Sequence, residues 1–240
     1  MTLLSIAIDV STETQGPQPA TIAGNSEPDA KLLLRTINKV GIKLMQLYTW
    51  SVLWKQHEFT SIAGQDQTAK VPSDFDRFVP ETFWSIDNQT LISGPVSASE
   101  WGSLRAATVT NTRNIKFSWR SGLISTIPDI GAGVACEFQY MTKNWCTDTT
   151  GVTPQSVFAA DTDVALLDED LITNIAVAEW LKSEGLPYAE AQLYAQENLD
   201  RLTGNDDASE NIAVVGDIYA RNSRHYSGEP DSGQGFATYW

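Results

Sequence analysis

The chain has 240 residues, 42% hydrophobic and 10% aromatic, and its 30 Asp and Glu outnumber 16 Lys and Arg for a formal net charge of −14. Such a composition excludes a disordered chain, and the length suffices to bury one large or two small cores. The acidic excess repels nucleic-acid phosphates, which disfavours a conventional DNA reader and leaves room for a basic partner or for a surface that DNA slides past.

Leu3, Leu4, Ile6, Ala7 and Ile8 form a short apolar run that ends at Asp9 without a basic flank, predicting a first helix over residues 3–10 rather than a signal peptide. No apolar segment reaches the roughly 18 residues of a membrane span, so a soluble protein made in a cytoplasm is expected. Gly16-Pro17-Gln18-Pro19 breaks the first helix. Ser26, with Asp29 three positions on, predicts a capped helix start, and Leu33, Ile37, Val40, Leu44 and Leu47 recur at helical spacing, carrying the helix to about Trp50.

Between Trp54 and Trp145 the helical period is lost. Short β-like runs replace it at residues 56–62, 68–71, 115–119, 124–128 and 134–141, with Gly64-Gln65-Asp66 and Arg120-Ser121-Gly122 as hairpin connections. Val71-Pro72-Ser73-Asp74-Phe75-Asp76 predicts a strand ending in an aspartate-rich turn. Phe83 and Trp84 begin another extended segment. Ser97-Ala98-Ser99-Glu100 is a capping box opening a helix over residues 97–106, with Trp101 and Leu104 on its buried face.

The helical period resumes after Asp163, where Leu167, Leu171, Ile175, Ala178 and Leu181 share a face and Gly185 supplies the stop. Pro187 opens a further helix with Tyr188, Ala191, Ala195, Leu199 and Leu202 inward. Beyond Gly204 the pattern predicts a loop at 205–209, a strand at 212–219 and a Ser- and Gly-rich tail at 221–240. The fold class is therefore α+β: a helical bundle from residues 1–53 and 146–204, an inserted antiparallel β subdomain at 54–145, and an extended C-terminal tail at 205–240.

Motifs for catalysis are missing from this string. Cys136 and Cys146 match neither a redox pair nor a zinc site and are expected to be packing thiols. His57 and His225 form no metal pair and offer no base to a nucleophile. Gly131-Ala132-Gly133 lacks the third glycine of a nucleotide loop and leads into a strand, so it is a plain turn, and there is no Walker lysine. No cofactor or metal is expected. Asp74 with Asp76, Asp161 with Asp163, and Asp168-Glu169-Asp170 are the tightest acidic groups. An acidic-pair hydrolase would need two such groups at fixed separation, but each sits where turns and helix starts favour acids. Asp161-Thr162-Asp163 also lacks the glycine and closing glutamate of a calcium loop. The Asn88-Gln89-Thr90 sequon carries no meaning in a cytoplasmic protein. Eight tryptophans raise the alternative of a carbohydrate-binding module of a tail or secreted protein, although Trp50, Trp54, Trp84, Trp101, Trp119, Trp145, Trp180 and Trp240 are scattered over helices and strands alike.

The string P-S-D-F-D-R at 72–77, followed by Thr82-Phe83-Trp84 and then Gly94-Pro95-Val96-Ser97-Ala98-Ser99-Glu100-Trp101, resembles the head-to-tail adaptor proteins of tailed bacteriophages, short-tailed ones in particular. The resemblance continues through Leu47-Tyr48-Thr49-Trp50, Phe138-Gln139-Tyr140-Met141-Thr142-Lys143-Asn144-Trp145, Phe158-Ala159-Ala160-Asp161-Thr162-Asp163, Leu166-Leu167-Asp168-Glu169 and Glu184-Gly185-Leu186-Pro187-Tyr188-Ala189, covering residues 26–202. It implies a structural virion protein with no enzymatic activity. Twelve copies would form a homo-oligomeric ring under the portal, extend the DNA channel without binding the genome specifically, and offer a docking surface to a tail, nozzle or head-closure protein. The implied location is the neck of the virion, reached from the host cytoplasm during assembly. C-terminal extensions of such adaptors wedge between portal subunits, which makes Tyr219, Arg221, Arg224, Tyr226, Phe236, Tyr239 and Trp240 the candidate portal-binding residues.

Overall fold

Thr2 starts the first helix by a reciprocal arrangement: its hydroxyl accepts the Ser5 amide at 3.3 Å while its own amide donates to the Ser5 hydroxyl at 3.0 Å. Residues 2–107 and 114–213 are described by the computed structural model of the chain. Helix α1 runs over Leu3–Glu13 and buries Leu3, Ile6, Ala7 and Val10. Helix α2, Pro28–Leu47, buries Leu33, Ile37, Val40 and Leu44 at the expected spacing, whereas Leu47, expected on the same stripe, is exposed at the helix end. Its start differs from expectation. The cap position is Glu27, which makes no side-chain capping bond, and Pro28 with its preset φ takes the first helical position in place of a Ser26 cap. The helix also stops short of Trp50. Tyr48 turns extended, and the Trp50 ring folds back to donate Nε1 to the Leu44 carbonyl at 2.8 Å before a single 3-10 turn at Ser51–Leu53.

The strands then follow in order: β1 Trp54–Thr60, β2 Asp66–Gln67, β3 Phe75–Phe78, β4 Trp84–Ser85 and β5 Thr90–Leu91. Helix α3 spans Ala98–Ala106, and after it come β6 Lys116–Arg120, β7 Leu123–Ile127, β8 Ala135–Thr142, β9 Cys146–Thr147, β10 Pro154–Gln155 and β11 Val164–Ala165. Every strand-to-strand ladder is antiparallel. β8 is the centre of the largest sheet, with β1 along one edge and β3 and β4 sharing the other, and β5 lies outside β4. β2, β7 and β6 form a second sheet, and β10, β9 and β11 a third.

Several local expectations are corrected here. The aspartate turn precedes the strand rather than ending it: Phe75 donates to the Pro72 carbonyl at 3.1 Å, and β3 begins at Phe75. Residues 68–71 are turn and not strand, because pairing with β7 is already complete at Gln67. Gly64-Gln65-Asp66 is no hairpin connection, since β2 pairs with β7 and not with its predecessor. Buried Gln67 organises that loop instead, accepting from the Ile62 amide and donating to the Ile62 and Gly64 carbonyls. Ser121 and Gly122, both at positive φ, do close the β6–β7 hairpin as their residue types predict. The α3 capping box is half made: Ser97 accepts the Glu100 amide at 3.2 Å, but the Glu100 carboxylate turns to Lys116 on β6.

The faces of β8 decide where the β core sits. Cys136, Phe138 and Tyr140 point inward onto Phe83, Ile92, Ile115, Phe117, Ile124 and Ile130, with Phe59, Phe75, Phe78 and Trp119 packed around them. The rings meet edge-on, Phe78 to Phe138 and Phe78 to Phe117 both at 5.0 Å between centroids, the arrangement that aromatic quadrupoles favour.

Helix α4, Glu169–Ser183, is capped by Asp168, whose carboxylate accepts the Leu171 amide at 2.8 Å. It packs on both α1 and α2. It therefore buries a wider arc than the single face expected: Leu171, Ile172, Ala176, Val177 and Ala178 are buried, whereas Ile175 and Leu181 are only partly so. Gly185 ends it at φ 72, with the Leu186 amide on the Leu181 carbonyl and the Gly185 amide on the Lys182 carbonyl. Helix α5 is Ala189–Ala213, so the loop expected at 205–209 is helix, as is the start of the expected 212–219 strand. Asn and Asp cost a helix interior only about half a kcal/mol each, too little to end it. Tyr188, just before α5, is exposed, and Ala191 and Leu202 within it are only partly buried, short of the expected inward burial, while Ala195 and Leu199 reach it. The chain divides into two compact units, residues 1–198 and 199–240. In the second, the Thr203 hydroxyl donates back to the Leu199 carbonyl at 3.0 Å. No helix among the described residues is long and apolar enough to cross a membrane.

Candidate functional site

The stretch with the most unusual residue order, Pro72 to Arg77, joins the largest sheet to the end of α2. Asp74 reaches across β1 and β8 at once: its carboxylate accepts from Lys55 Nζ at 2.8 Å, the Tyr140 hydroxyl at 3.0 Å and the Thr142 hydroxyl at 2.9 Å. Burial opposes the charge on Asp74, but the bonds from Lys55, Thr142 and Tyr140 together outweigh it and hold the carboxyl below its ordinary value. The Tyr140 hydroxyl is pushed up by burial and by the bond it donates to Asp74. Three residues on, Arg77 turns the other way. Its guanidinium donates to the Tyr48 carbonyl at 2.6 Å and the Met45 carbonyl at 3.1 Å, a cation set on the exposed carbonyl end of α2 where the helix dipole favours it. Asp76 steadies that guanidinium at 3.3 Å.

The second acidic group closes the helical part in the same manner. Asp161 accepts the Ile22 and Ala23 amides at 3.0 and 2.7 Å, and buried Asp163 accepts the Ala159 and Ala160 amides at 2.7 and 2.8 Å. Their carbonyls also take the Leu4 and Leu3 amides at the start of α1. Phe158 is held by Asn38 of α2, whose Oδ1 accepts the Phe158 amide at 2.8 Å, and its ring meets Trp145 edge-on at 4.7 Å. The acidic groups singled out in the sequence thus serve as turn closers, a helix cap and a sheet-spanning node. Asp74, Asp76, Asp161, Asp163 and Asp168 all carry such bonds.

The other candidates are just as firmly tied. Burial pushes the Cys136 thiol up to about 11, helped by Asp87, and the Cys146 thiol up to about 12, helped by Asp163; both are free, buried and poor nucleophiles. His57 bonds the Lys70 carbonyl through Nε2 at 3.0 Å and lies among Phe59, Phe138 and Tyr140. His225 lies outside the described residues. Gly131-Ala132-Gly133 is a bend between β7 and β8. Among the described residues no group of three His, Cys, Asp or Glu is placed to hold a metal ion. Trp50, Trp101 and Trp145 are buried and Trp54, Trp119 and Trp180 partly so, leaving Trp84 as the one strongly exposed ring among the described tryptophans, at 42%. A row of exposed rings for stacking on a sugar chain is not formed by these residues. The candidate portal-binding residues Tyr219, Arg221, Arg224, Tyr226, Phe236, Tyr239 and Trp240 all lie outside the described residues.

No protein-family model matches the chain, and no curated protein matches it.

What sequence reading missed are two exposed helix faces. Lys31, Arg35, Lys39 and Lys43 follow one another at four-residue spacing along α2, four of the sixteen basic residues of an acidic chain. On the first turns of α5, Leu193 and Tyr194 stand 62% and 61% exposed. The i to i+4 spacing of the cations was legible in the sequence; the exposure of both faces was not.

Proposed function

We propose that this chain is a structural virion protein, a head-to-tail adaptor that forms a ring beneath the portal of a tailed bacteriophage, extends the DNA channel and gives the tail its docking surface. One observation carries the reading. The strings by which the sequence resembles such adaptors, P-S-D-F-D-R and F-A-A-D-T-D, are the joints of the fold, with their acids spent on Lys55, Tyr140, Thr142 and backbone amides rather than grouped around an open cleft. A resemblance seated on architectural residues supports kinship of build. The net charge of −14 supports a channel wall that DNA passes without sticking.

In this reading the helices face the portal and the β strands point towards the tail protein. The segment holding Tyr219, Arg221, Arg224, Tyr226, Phe236, Tyr239 and Trp240 docks between portal subunits, and the ring is a dodecamer closed by repeated heterologous contacts. The test is mass photometry of the full chain mixed with a purified portal ring from the same source. Stoichiometric loading that disappears when residues 221–240 are deleted, with the melting temperature of the folded part nearly unchanged, is the expected result. A chain that ignores the portal sinks the proposal, and a large drop in melting temperature on deletion would make the tail part of the core.

A further inference from the structure

The outer face of α2 is a shallow groove with Leu34, Asn38 and Ile42, all partly buried, along its floor and Lys31, Arg35 and Lys39 beside it. The cations divide into two kinds. Lys39 and Lys43 face Glu179 of α4 at 3.9 and 3.2 Å. Lys31 and Arg35 have no carboxylate partner among the described residues, and Lys31 sits in the first turn of α2, where the helix dipole disfavours a cation. An unpaired basic and apolar stripe on so acidic a chain gains nothing locally from its arrangement.

The complementary stripe lies on α5. Glu190, Leu193, Tyr194 and Glu197 are spaced i, i+3, i+4 and i+7, so they share one face, and all four are exposed. Neither glutamate has a basic partner among the described residues. Seven residues of helix put Glu190 and Glu197 ~10.5 Å apart and four put Lys31 and Arg35 ~6 Å apart, a difference within the reach of the long, exposed Lys, Arg and Glu side chains. The two acids can therefore meet cations of the α2 stripe together, while Leu193 and Tyr194 cover Leu34 and Ile42 between them. Both faces belong to the unit of residues 1–198.

We infer that α2 of one copy receives the Glu190 to Glu197 face of α5 from the next copy, an inference that rests on the adaptor reading for why copies meet in a ring. The occupant is a second copy because the charge and apolar pattern that the groove calls for is on the chain itself. Two different patches in contact make a heterologous interface, which propagates from copy to copy and closes by rotation. Opposite charges steer the encounter and fix the register, with the apolar pair between them supplying the desolvated centre.

A charge swap tests this on the full chain. Self-association is followed by sedimentation in solution and by mass photometry on a portal ring, for wild type, K31E/R35E, E190K/E197K and the four-fold combination. Each double reversal is expected to weaken self-association by roughly 100-fold, and the combination to recover it to within about 10-fold, with association stronger at low salt. All four positions are exposed, so melting temperatures should stay together and separate lost contact from lost fold. Self-association untouched by the reversals, or lost without recovery in the combination, overturns the inference, as does a wild type that associates neither free nor on the portal. Duplex DNA binding that K31E/R35E removes, with self-association intact, overturns it in favour of a nucleic-acid surface. Portal loading is scored separately. Copies that join through these faces yet ignore the portal leave the inference standing and sink the adaptor reading, whereas loading that tolerates both reversals does the opposite.

Discussion

Gly41 of α2 lies flat against the Trp145 ring, so close that a Cβ at Gly41 would stand 2.4 Å from ring atoms. Trp145 is fully buried, with its Nε1 donating to the Ser156 carbonyl at 2.6 Å and the Phe158 ring packed edge-on with it at 4.7 Å, so it has nowhere to retreat. Two effects compete in Gly41→Ala. Alanine gains about 1 kcal/mol of helix propensity, but overpacking a fixed core costs about 1–3 kcal/mol or more, and here the clash is with an indole ring pinned on two sides. Net destabilisation is expected, read as a lower melting temperature. Gly102 of α3 is the control, because a Cβ there meets nothing within 4 Å. Gly102→Ala should raise stability by up to about 1 kcal/mol, and equal effects at the two sites would refute the packing argument.

Arg77 holds the end of α2 through a fork. Its Nη2 donates to the Met45 and Tyr48 carbonyls while Nη1 donates to Asp76 and, at 3.4 Å, to the Gln46 carbonyl, so Arg77→Lys keeps the charge but has one nitrogen in place of two and should cost about 1–2 kcal/mol in urea unfolding. Arg77→Ala should cost about 2–3 kcal/mol. A lysine variant as stable as wild type would mean that charge alone caps the helix.

Asp74 makes stability depend on pH in a stated direction. Its folded value lies below the ordinary 3.8, so the native state favours the carboxylate. That contribution is complete above the unfolded value and is lost as pH falls through the folded one. Asp74→Asn should therefore be less stable than wild type by roughly 1–2 kcal/mol near neutral pH, with the gap narrowing below about pH 4. Asp148, held down to about 2 by bonds from Thr150 and Thr153, and Glu179, whose own burial is outweighed by Lys43, also titrate low. The variant should flatten the acid limb of the stability curve without abolishing it. A gap that widens on acidification would contradict the assignment.

Ser85 on β4 is buried, and its hydroxyl finds no hydrogen-bond partner among the described residues. Leaving such a group unpaired costs about 1–3 kcal/mol, so Ser85→Ala should stabilise the fold by about 1 kcal/mol, seen as a higher urea midpoint with an unchanged slope. A loss of stability would show that the hydroxyl has a partner.

Much of the helical frame is legible in the residues themselves. The apolar spacing of Leu33, Ile37, Val40 and Leu44 puts them on one side of any helix they form, and Asp168 and Gly185 mark the ends of α4 by local backbone chemistry alone. The β6–β7 hairpin follows from Ser121-Gly122 for the same reason. What escaped was settled by partners distant in sequence. Asp74 sits before its strand and not after it because Lys55, Tyr140 and Thr142 converge on it, and α2 ends at Leu47 with Arg77, thirty residues on, bonded to its last carbonyls. The small β10-β9-β11 sheet has strands two residues long, too short for alternation to register. α5 ran on past Asn205 because single residues of weak propensity do not end a helix.

Sequence by itself determined the α+β class, the acidic character, the α2 stripe and those ends and turns that local backbone chemistry fixes alone, Asp168, Gly185 and Ser121-Gly122, since each depends on residues within a few positions of one another. Only the tertiary structure decided that the clustered aspartates are joints, that a tryptophan requires Gly41, and that the α2 and α5 stripes face outward. Those outcomes depend on which surfaces the other elements cover, and burial is a property of the assembled fold.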